Sequence, residues 1–516
     1  MFTLGDIAVK RARLGASDEA LVFGDVRLTY GELHERTSRL ANALLARGIR
    51  PGDRVAMLAE NSHRYVEFFL AAAKAGIVAT PLNFRLTERE LLHMLTDSGA
   101  RGVFVGAEFD TVGQVLRSDL PDDVLWIGLE ADMRWAIEYE DLVRNGHAGG
   151  VAATVREDDL AVLMYTGGTT GLPKGVMLSH RNLLSAFLSV IIQFGFTARD
   201  VTLMVLPMFH VAIWQVICHL IVGARVVILK RPEVGGILST LASERCTSMN
   251  AVPTLYNWIV SDPGLAQHDL SALRLLIYGG SPFPEEILRR CIAHFGPVFA
   301  QGYGLTEAAP TVCFLAPEDH VLDGPRARLL ASAGREMTLT EVRIADAQGN
   351  AVPVGEVGEV LARGPNIMLG YWNNEPMTRE RLTDGWLRTG DIGRMDEEGY
   401  VFLLDRKADM IVTGGENVYP SEIEGVLYTH PAVHECLVAS APDSRWGERV
   451  QAAVVLRAGV QVSEDELLRF CKENLAGYKC PKRIEFWQAL PRSPVGKLLR
   501  KDVKHSFWLG QERRVN

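Results

Sequence analysis

The stretch Met164–His180, MYTGGTTGLPKGVMLSH, decides the reading of this 516-residue chain. An apolar lead-in, Leu160 to Met164, runs into Gly and hydroxyl residues from Thr166 to Gly171, and Lys174 follows Pro173. Glycines let successive backbone N–H groups turn toward an anion, threonine hydroxyls add donors, and a lysine adds charge. Thr166, Gly167, Gly168, Thr169, Thr170, Gly171 and Lys174 therefore read as a phosphate cradle. It is not the Walker loop, because Lys174 is followed by Gly175 and not by Ser or Thr. A Gly/Thr run alone is an ordinary surface loop; the Pro-Lys-Gly that follows it argues for the cradle.

Working outward, the rest of the chain has to supply a body for that loop. Its 47% hydrophobic and 23% charged residues are those of a globular protein and exclude a disordered tail or a small disulfide scaffold. At about 100–200 residues per domain, the length allows several domain-sized units. A net charge of −9 argues against broad attachment to nucleic acid or an anionic membrane, so a phosphate ligand must be held locally. The seven cysteines, Cys218, Cys246, Cys291, Cys313, Cys436, Cys471 and Cys480, are odd in number, dispersed and without a CxxC pair, as expected in a reducing compartment. The opening MFTLGDIAVKRARLG has no apolar core of signal-peptide length, and a cytoplasmic location is expected. The most apolar stretch, Val205 to Leu229, is interrupted by His210, Gln215, His219 and Arg225, which predicts a buried helix followed by a buried strand and no membrane span.

The first half alternates helical and strand patterns. Thr29 with Glu32 is a capping box, Leu33, Thr37, Leu40 and Leu44 recur at helical spacing, and a strand starts at Arg54. Val226–Leu229 and Leu275–Tyr278 read as buried strands, giving α/β architecture with binding loops at strand ends. From about Gly334 short Gly-rich alternating segments predict a β-rich subdomain. After a boundary at Asp405–Asp409, Gly414-Gly415 makes a turn, and Ser421 with Glu424 reads as a second capping box.

Further motifs follow the loop in order: Pro207-Met208-Phe209-His210, Tyr278-Gly279-Gly280-Ser281, Gln301-Gly302-Tyr303-Gly304-Leu305-Thr306-Glu307, Tyr371-Trp372, Gly385 to Asp391, Asp405-Arg406, Gly414 to Asn417, Pro420 to Glu424 and Pro491 to Lys497. With Met164–His180, this ordered set resembles the adenylate-forming (AMP-binding) superfamily of acyl-CoA synthetases, aryl-CoA ligases, luciferases and peptide-synthetase adenylation domains, over essentially the whole chain. The resemblance, with the element pattern, implies an α/β fold: a large multi-subdomain N-terminal body, residues 1–404, of two α/β sheets plus a β-rich subdomain, a hinge at 405–409, and a small mobile C-terminal α+β domain, 410–516.

It implies an AMP-forming acid–thiol ligase using ATP, Mg²⁺ and CoA on a small-molecule carboxylic acid, with no nucleic acid partner. Peripheral membrane contact and homodimer formation stay open. Catalytic roles fall on Lys497, Glu307, Lys174 and Thr306. Lys497 stands out because a carboxylate attacks the α-phosphate only when the repulsion of two anions is offset. ATP and AMP would be held by the loop residues with Gly279, Gly280, Ser281, Gln301, Gly302, Tyr303, Gly304, Thr306, Asp391, Arg406 and Lys497, and Mg²⁺ by Glu307 and Thr170, a hard cation taking oxygen ligands. His210, Val211, Trp214, Gly279, Ser281, Gly302 and Ala308 are implied for the acyl pocket, and Gly414, Gly415, Trp446 and Lys479 for CoA. No charged residue in the acyl set would pair with a second substrate charge, so an apolar acid is expected, a medium- or long-chain fatty acid first and an aryl or cyclic acid second. Transfer to a carrier protein, silent nucleotide binding and light emission are the rivals. One departure is that Ala408 stands where related ligases commonly carry Asp or Lys as the hinge pivot.

Overall fold

The computed structural model describes residues 2–166, 172–210, 212–280, 283, 285–407, 409–413, 416–443, 446–492 and 498–509, with 416–417 as backbone only. Two compact units divide the chain: residues 1–342 with 361–388, and residues 343–360 with 389–516.

In the larger unit the expected helix–strand alternation is found. Thr29 accepts from the N–H of Glu32 at 3.2 Å while the Glu32 carboxylate accepts from the N–H of Thr29 at 2.8 Å, which starts the helix Tyr30–Ala46. Leu33, Thr37, Leu40 and Leu44 face the core from it. Thr87 and Glu90 repeat the device at the helix Glu88–Ser98, each cap satisfying N–H groups that the first turn leaves without partners. The apolar stretch at 205–229 is a buried helix, Ile213–Val222, followed by the strand Arg225–Ile228. No helix among the described residues is long and apolar enough to cross a membrane.

Among the described residues the strands make two large sheets. One has nine strands, and its parallel centre includes Val201–Met204, Ser248–Ala251, Leu275–Gly279 and Phe299–Tyr303. The other has eight, with Arg54–Leu58, Val78–Pro81 and Gly102–Val105 parallel at its centre and Leu160–Thr166, Lys174–Ser179 and Gly370–Tyr371 at one side. Both centres are fully covered runs such as Leu275 to Tyr278, as parallel strands with helices on both faces require. The β-rich segment expected after Gly334 is a sheet of short strands between residues 341 and 406.

The smaller unit carries a five-stranded sheet whose long hairpin, Val433–Asp443 with Gly447–Leu456, packs on a core of Ile423, Leu427, Val438, Val454 and Leu467. One sequence expectation fails here. The helix Pro420–Tyr428 begins with proline at its first turn, one residue before Ser421. Ser421 instead donates to the Leu404 carbonyl, and Glu424 binds Arg500 and the N–H of Val438. Proline supplies the helical φ and lacks the N–H that a cap would satisfy, so no capping box is needed.

Candidate active site

The two strands flanking the Gly/Thr loop are antiparallel, with Thr166 opposite Lys174; Gly167, Gly168, Thr169, Thr170 and Gly171 lie outside the described residues. Both ends of the loop are tied to one face of the helix Glu88–Ser98. The Tyr165 hydroxyl donates to Asp97 Oδ2 at 2.6 Å, and His93 Nε2 donates to the Pro173 carbonyl at 3.2 Å, residues four apart facing the same way. The Asp97 carbonyl also accepts from the Trp372 indole at 2.9 Å. Gly175 is closely packed, since a Cβ there would meet Leu163 Cδ1 at 2.8 Å and Trp372 Cβ at 3.2 Å and would push both side chains aside.

Lys174 is half-buried and has no hydrogen-bond or ion-pair partner among the described residues. Burial and the Arg381 charge push its pKa down, against the pull of Glu307 and Glu380. An unpaired lysine at the exit of such a loop is a cation held ready for an anion.

Glu307 sits on the 3₁₀ turn Thr306–Ala308 and is fixed from three sides. Its carbonyl accepts from the N–H of Met368 at 2.9 Å, the next carbonyl, of Ala308, accepts from Asn366 Nδ2 at 2.9 Å, and Oε1 accepts from the Tyr371 hydroxyl at 2.7 Å. Burial first, and the Glu307 charge second, hold the Tyr371 phenol far above its usual range, so it stays a donor. Gly304 admits no side chain, because a Cβ would lie 1.8 Å from the Pro310 carbonyl oxygen. The described residues hold no group of three or more His, Cys, Asp or Glu suited to a metal. The half-buried Glu307 carboxylate, with Oε2 uncommitted among the described residues, nonetheless fits Mg²⁺, which binds through one or two carboxylates plus substrate phosphates and water.

Gly279 and Gly302 lie opposite each other on neighbouring parallel strands, and a Cβ on Gly279 would come within 2.4 Å of the Gly302 carbonyl oxygen. The strand end is braced from below. His320 Nδ1 donates to the Ala316 carbonyl at 2.8 Å, leaving Nε2 to accept from the Tyr278 hydroxyl at 3.0 Å. Burial pushes His320 down to about 4, so the ring is neutral at pH 7. Gly280 follows with φ +75°, Gln301 and Tyr303 are half-buried, and Ser281 is outside the described residues. The strand end thus brings two glycines close together beside the half-buried Tyr303.

In the acyl set, His210, Gly279 and Gly302 are half-buried, and Val211 lies outside the described residues. Trp214 is only 2% exposed and Ala308 is fully covered. The Trp214 ring meets Phe69 edge-on at 5.9 Å and Phe187 at 5.4 Å, and its indole N–H has no partner among the described residues. Phe194, one end of the helix that carries Phe187, lies 3.7 Å from where a Gly302 Cβ would be.

In the smaller unit Asp391 and Arg406 are register partners, with Arg406 Nε 3.5 Å from Asp391 Oδ1. Arg406 is exposed and Asp391 largely covered, leaving that pair open to a ligand from the arginine side. Lys479 is committed to Glu422, at 2.7 and 2.8 Å, whereas Trp446 is 48% exposed. Gly414, Gly415, Ala408 and Lys497 lie outside the described residues. On either side of residues 493–497, Arg492 pairs with Leu498 in an isolated bridge, and the Leu499 N–H donates to the Pro491 carbonyl at 2.8 Å.

The AMP-binding enzyme model matches residues 9–372, and the AMP-binding enzyme C-terminal domain model matches 422–497. The chain belongs to the AMP-binding enzyme family. It is 41% identical to a feruloyl-CoA synthase of an Amycolatopsis species over 98% of this chain and 99% of that one. It is 38% identical to the fatty acid–[acyl-carrier-protein] ligase ScoC of Streptomyces coeruleorubidus over 95% and 93%. Among solved structures it is similar to ATP-bound MatB from Rhodopseudomonas palustris, with TM-score 0.90, 30% identity and coverage of 98% and 99%. As an AMP-binding enzyme it is an ATP-dependent, AMP-forming acid–thiol ligase. Sequence reasoning missed the bracing residues of this AMP-binding fold. Asp97 and His93 lie at i, i+4 on the polar face of their helix, opposite the buried Leu91, Met94 and Leu95, and so gave no local signal, while Tyr371 was recognised only as part of a motif.

Proposed function

We propose that this enzyme activates a compact aryl carboxylic acid as its acyl-adenylate and transfers the acyl group to CoA. The observation that carries the choice of acid is the closed aromatic wall at Trp214, 2% exposed between Phe69 and Phe187. An extended alkyl chain continuing past this wall would have to displace Trp214, whereas a compact planar acid need not reach beyond it. The likeness to a feruloyl-CoA synthase supports the same acid class. A medium- or long-chain fatty acid is the second reading, favoured by the likeness to a fatty acid ligase that uses a carrier protein.

In the first step a carboxylate oxygen attacks the α-phosphorus of ATP, and pyrophosphate leaves with the electron pair of the broken P–O bond. Lys174 and the loop hydroxyls hold the phosphates, and Lys497 offsets the repulsion between the two anions. Mg²⁺ on Glu307, when bound, supplies neutralising charge to the phosphates. Tyr371 keeps that carboxylate aimed, and Tyr303 stacks on the adenine. Asp391 and Arg406 take the ribose hydroxyls, which requires Arg406 to share its Asp391 contact. In the second step the CoA thiolate attacks the acyl carbonyl carbon and AMP leaves. No side-chain nucleophile is needed, in keeping with seven cysteines that are all buried. The exposed Trp446 supports contact with CoA, and Lys479 would have to leave Glu422 to join it. A hinge at 405–409 between body and cap completes the proposal.

An AMP-release assay with CoA across substituted cinnamates, benzoates and fatty acids of increasing length tests it. Aryl acids should give the highest kcat/KM. Saturated chains beating every aryl acid by tenfold would move the assignment to the second reading.

A further inference from the structure

Arg381 is a half-buried arginine with no carboxylate partner among the described residues. It ends the helix Glu375–Arg381, and its one side-chain hydrogen bond among the described residues runs from Nη1 to the Arg388 carbonyl at 3.1 Å. Three contacts bring that helix to the loop strand. Thr378 Oγ1 accepts from the N–H of Tyr371 at 2.8 Å, Tyr371 lies opposite Val176, and the N–H of Trp372 donates to the Gly175 carbonyl at 2.8 Å. Lys174 begins the same strand, and Tyr371 reaches across to Glu307.

The electrostatics agree with this placement. Arg381 disfavours the charge on Lys174 more strongly than Glu307 favours it, and Arg381 also acts on the Tyr371 phenol. The nearest acid on its own helix, Glu380, is exposed and makes no ion pair with either cation among the described residues. Two cations whose charges act on one another repel, and here the repulsion outweighs the pull of the nearby Glu307 on Lys174, a cost that an anion with several charges reverses.

We propose that Arg381 and Lys174 together bind the β- and γ-phosphates of ATP and the pyrophosphate that leaves, a second cationic ligand set apart from the Gly/Thr loop. The assignment rests on the ligase reading above. It separates the polyphosphate end of the nucleotide from the AMP end, because AMP lacks the phosphates that Arg381 would touch. A planar guanidinium also suits two phosphate oxygens at once.

Calorimetric titration of the full chain with ATP, AMP and pyrophosphate tests it. Arg381→Gln should weaken ATP and pyrophosphate about tenfold or more, the worth of a hydrogen bond to a charged group, and leave AMP unchanged. Arg381→Lys, which keeps the charge, should recover most of the loss. Equal weakening of ATP and AMP in Arg381→Gln, or wild-type affinity for all three ligands, overturns the assignment of Arg381 alone. A wild-type chain that binds no ATP overturns the ligase reading, and this inference with it.

Discussion

Replacing Trp214 separates packing from selectivity. Its ring is buried against Phe69 and Phe187, so alanine removes a large side chain from a site that cannot collapse around two aromatic neighbours. The expected loss is about 3–5 kcal/mol, which with a urea slope near 3 kcal/mol/M lowers the unfolding midpoint by about 1 M or more. Phenylalanine behaves differently. It refills most of the volume and removes an indole N–H that has no partner among the described residues, so the loss should stay below about 1.5 kcal/mol. Selectivity should follow volume: Trp214→Ala accepts longer alkyl acids that the wild type rejects, and Trp214→Phe keeps the aryl preference. Urea titration and the acid panel, run on the same preparations, read both. A folded Trp214→Ala enzyme with the wild-type acid profile would show that Trp214 is core alone.

Tyr371→Phe removes the donor to Glu307, and loss of about 1.5–3 kcal/mol should lower ATP–pyrophosphate exchange by about 10- to 150-fold, while conversion of synthetic acyl-AMP with CoA is kept; a matching fall in both half-reactions would contradict the role. Lys497→Ala should behave the same way, abolishing adenylation and sparing thioester formation, as measured in the same two assays. Lys74, buried beside His34, Thr37 and Ser38, is pushed by burial down to about 7. The unfolded chain then binds more protons than the folded one from about pH 7 to the ordinary lysine range, so the wild type should gain stability with rising pH across that window. Lys74→Met should lack that rise in urea midpoints taken at pH 7 and pH 9. Arg500→Met strips the partner from the largely covered Glu424 and should cost the smaller unit about 3–5 kcal/mol, seen as an earlier transition in a thermal scan with the larger unit unchanged.

Much of this was legible in the sequence because the signals were local. Thr29 and Glu32 are three residues apart and cap the helix they announce; Leu275 to Tyr278 is a continuous apolar run and is a buried parallel strand. Failures arose where a distant partner decided the outcome. Ser421 and Glu424 have capping-box spacing, yet Pro420 starts the helix and Arg500, 76 residues away, takes the glutamate. The Tyr371 hydroxyl meets a carboxylate 64 residues earlier in the chain, and no periodicity encodes that. Whether Trp214 would shorten the acyl pocket or stack on an aryl ring could not be read from its motif, because its cover by Phe69 and Phe187 exists only in three dimensions.

The central claim is that the acid is activated as an acyl-adenylate, with the carboxylate as attacking group on the α-phosphorus. Running the reaction with a substituted cinnamate labelled in its carboxylate with oxygen-18, together with ATP and CoA, and analysing the nucleotide by mass spectrometry tests that claim directly. Label should appear in AMP, one labelled oxygen per turnover, with none in inorganic phosphate or pyrophosphate. Unlabelled AMP, or label in inorganic phosphate alongside ADP, would contradict the account.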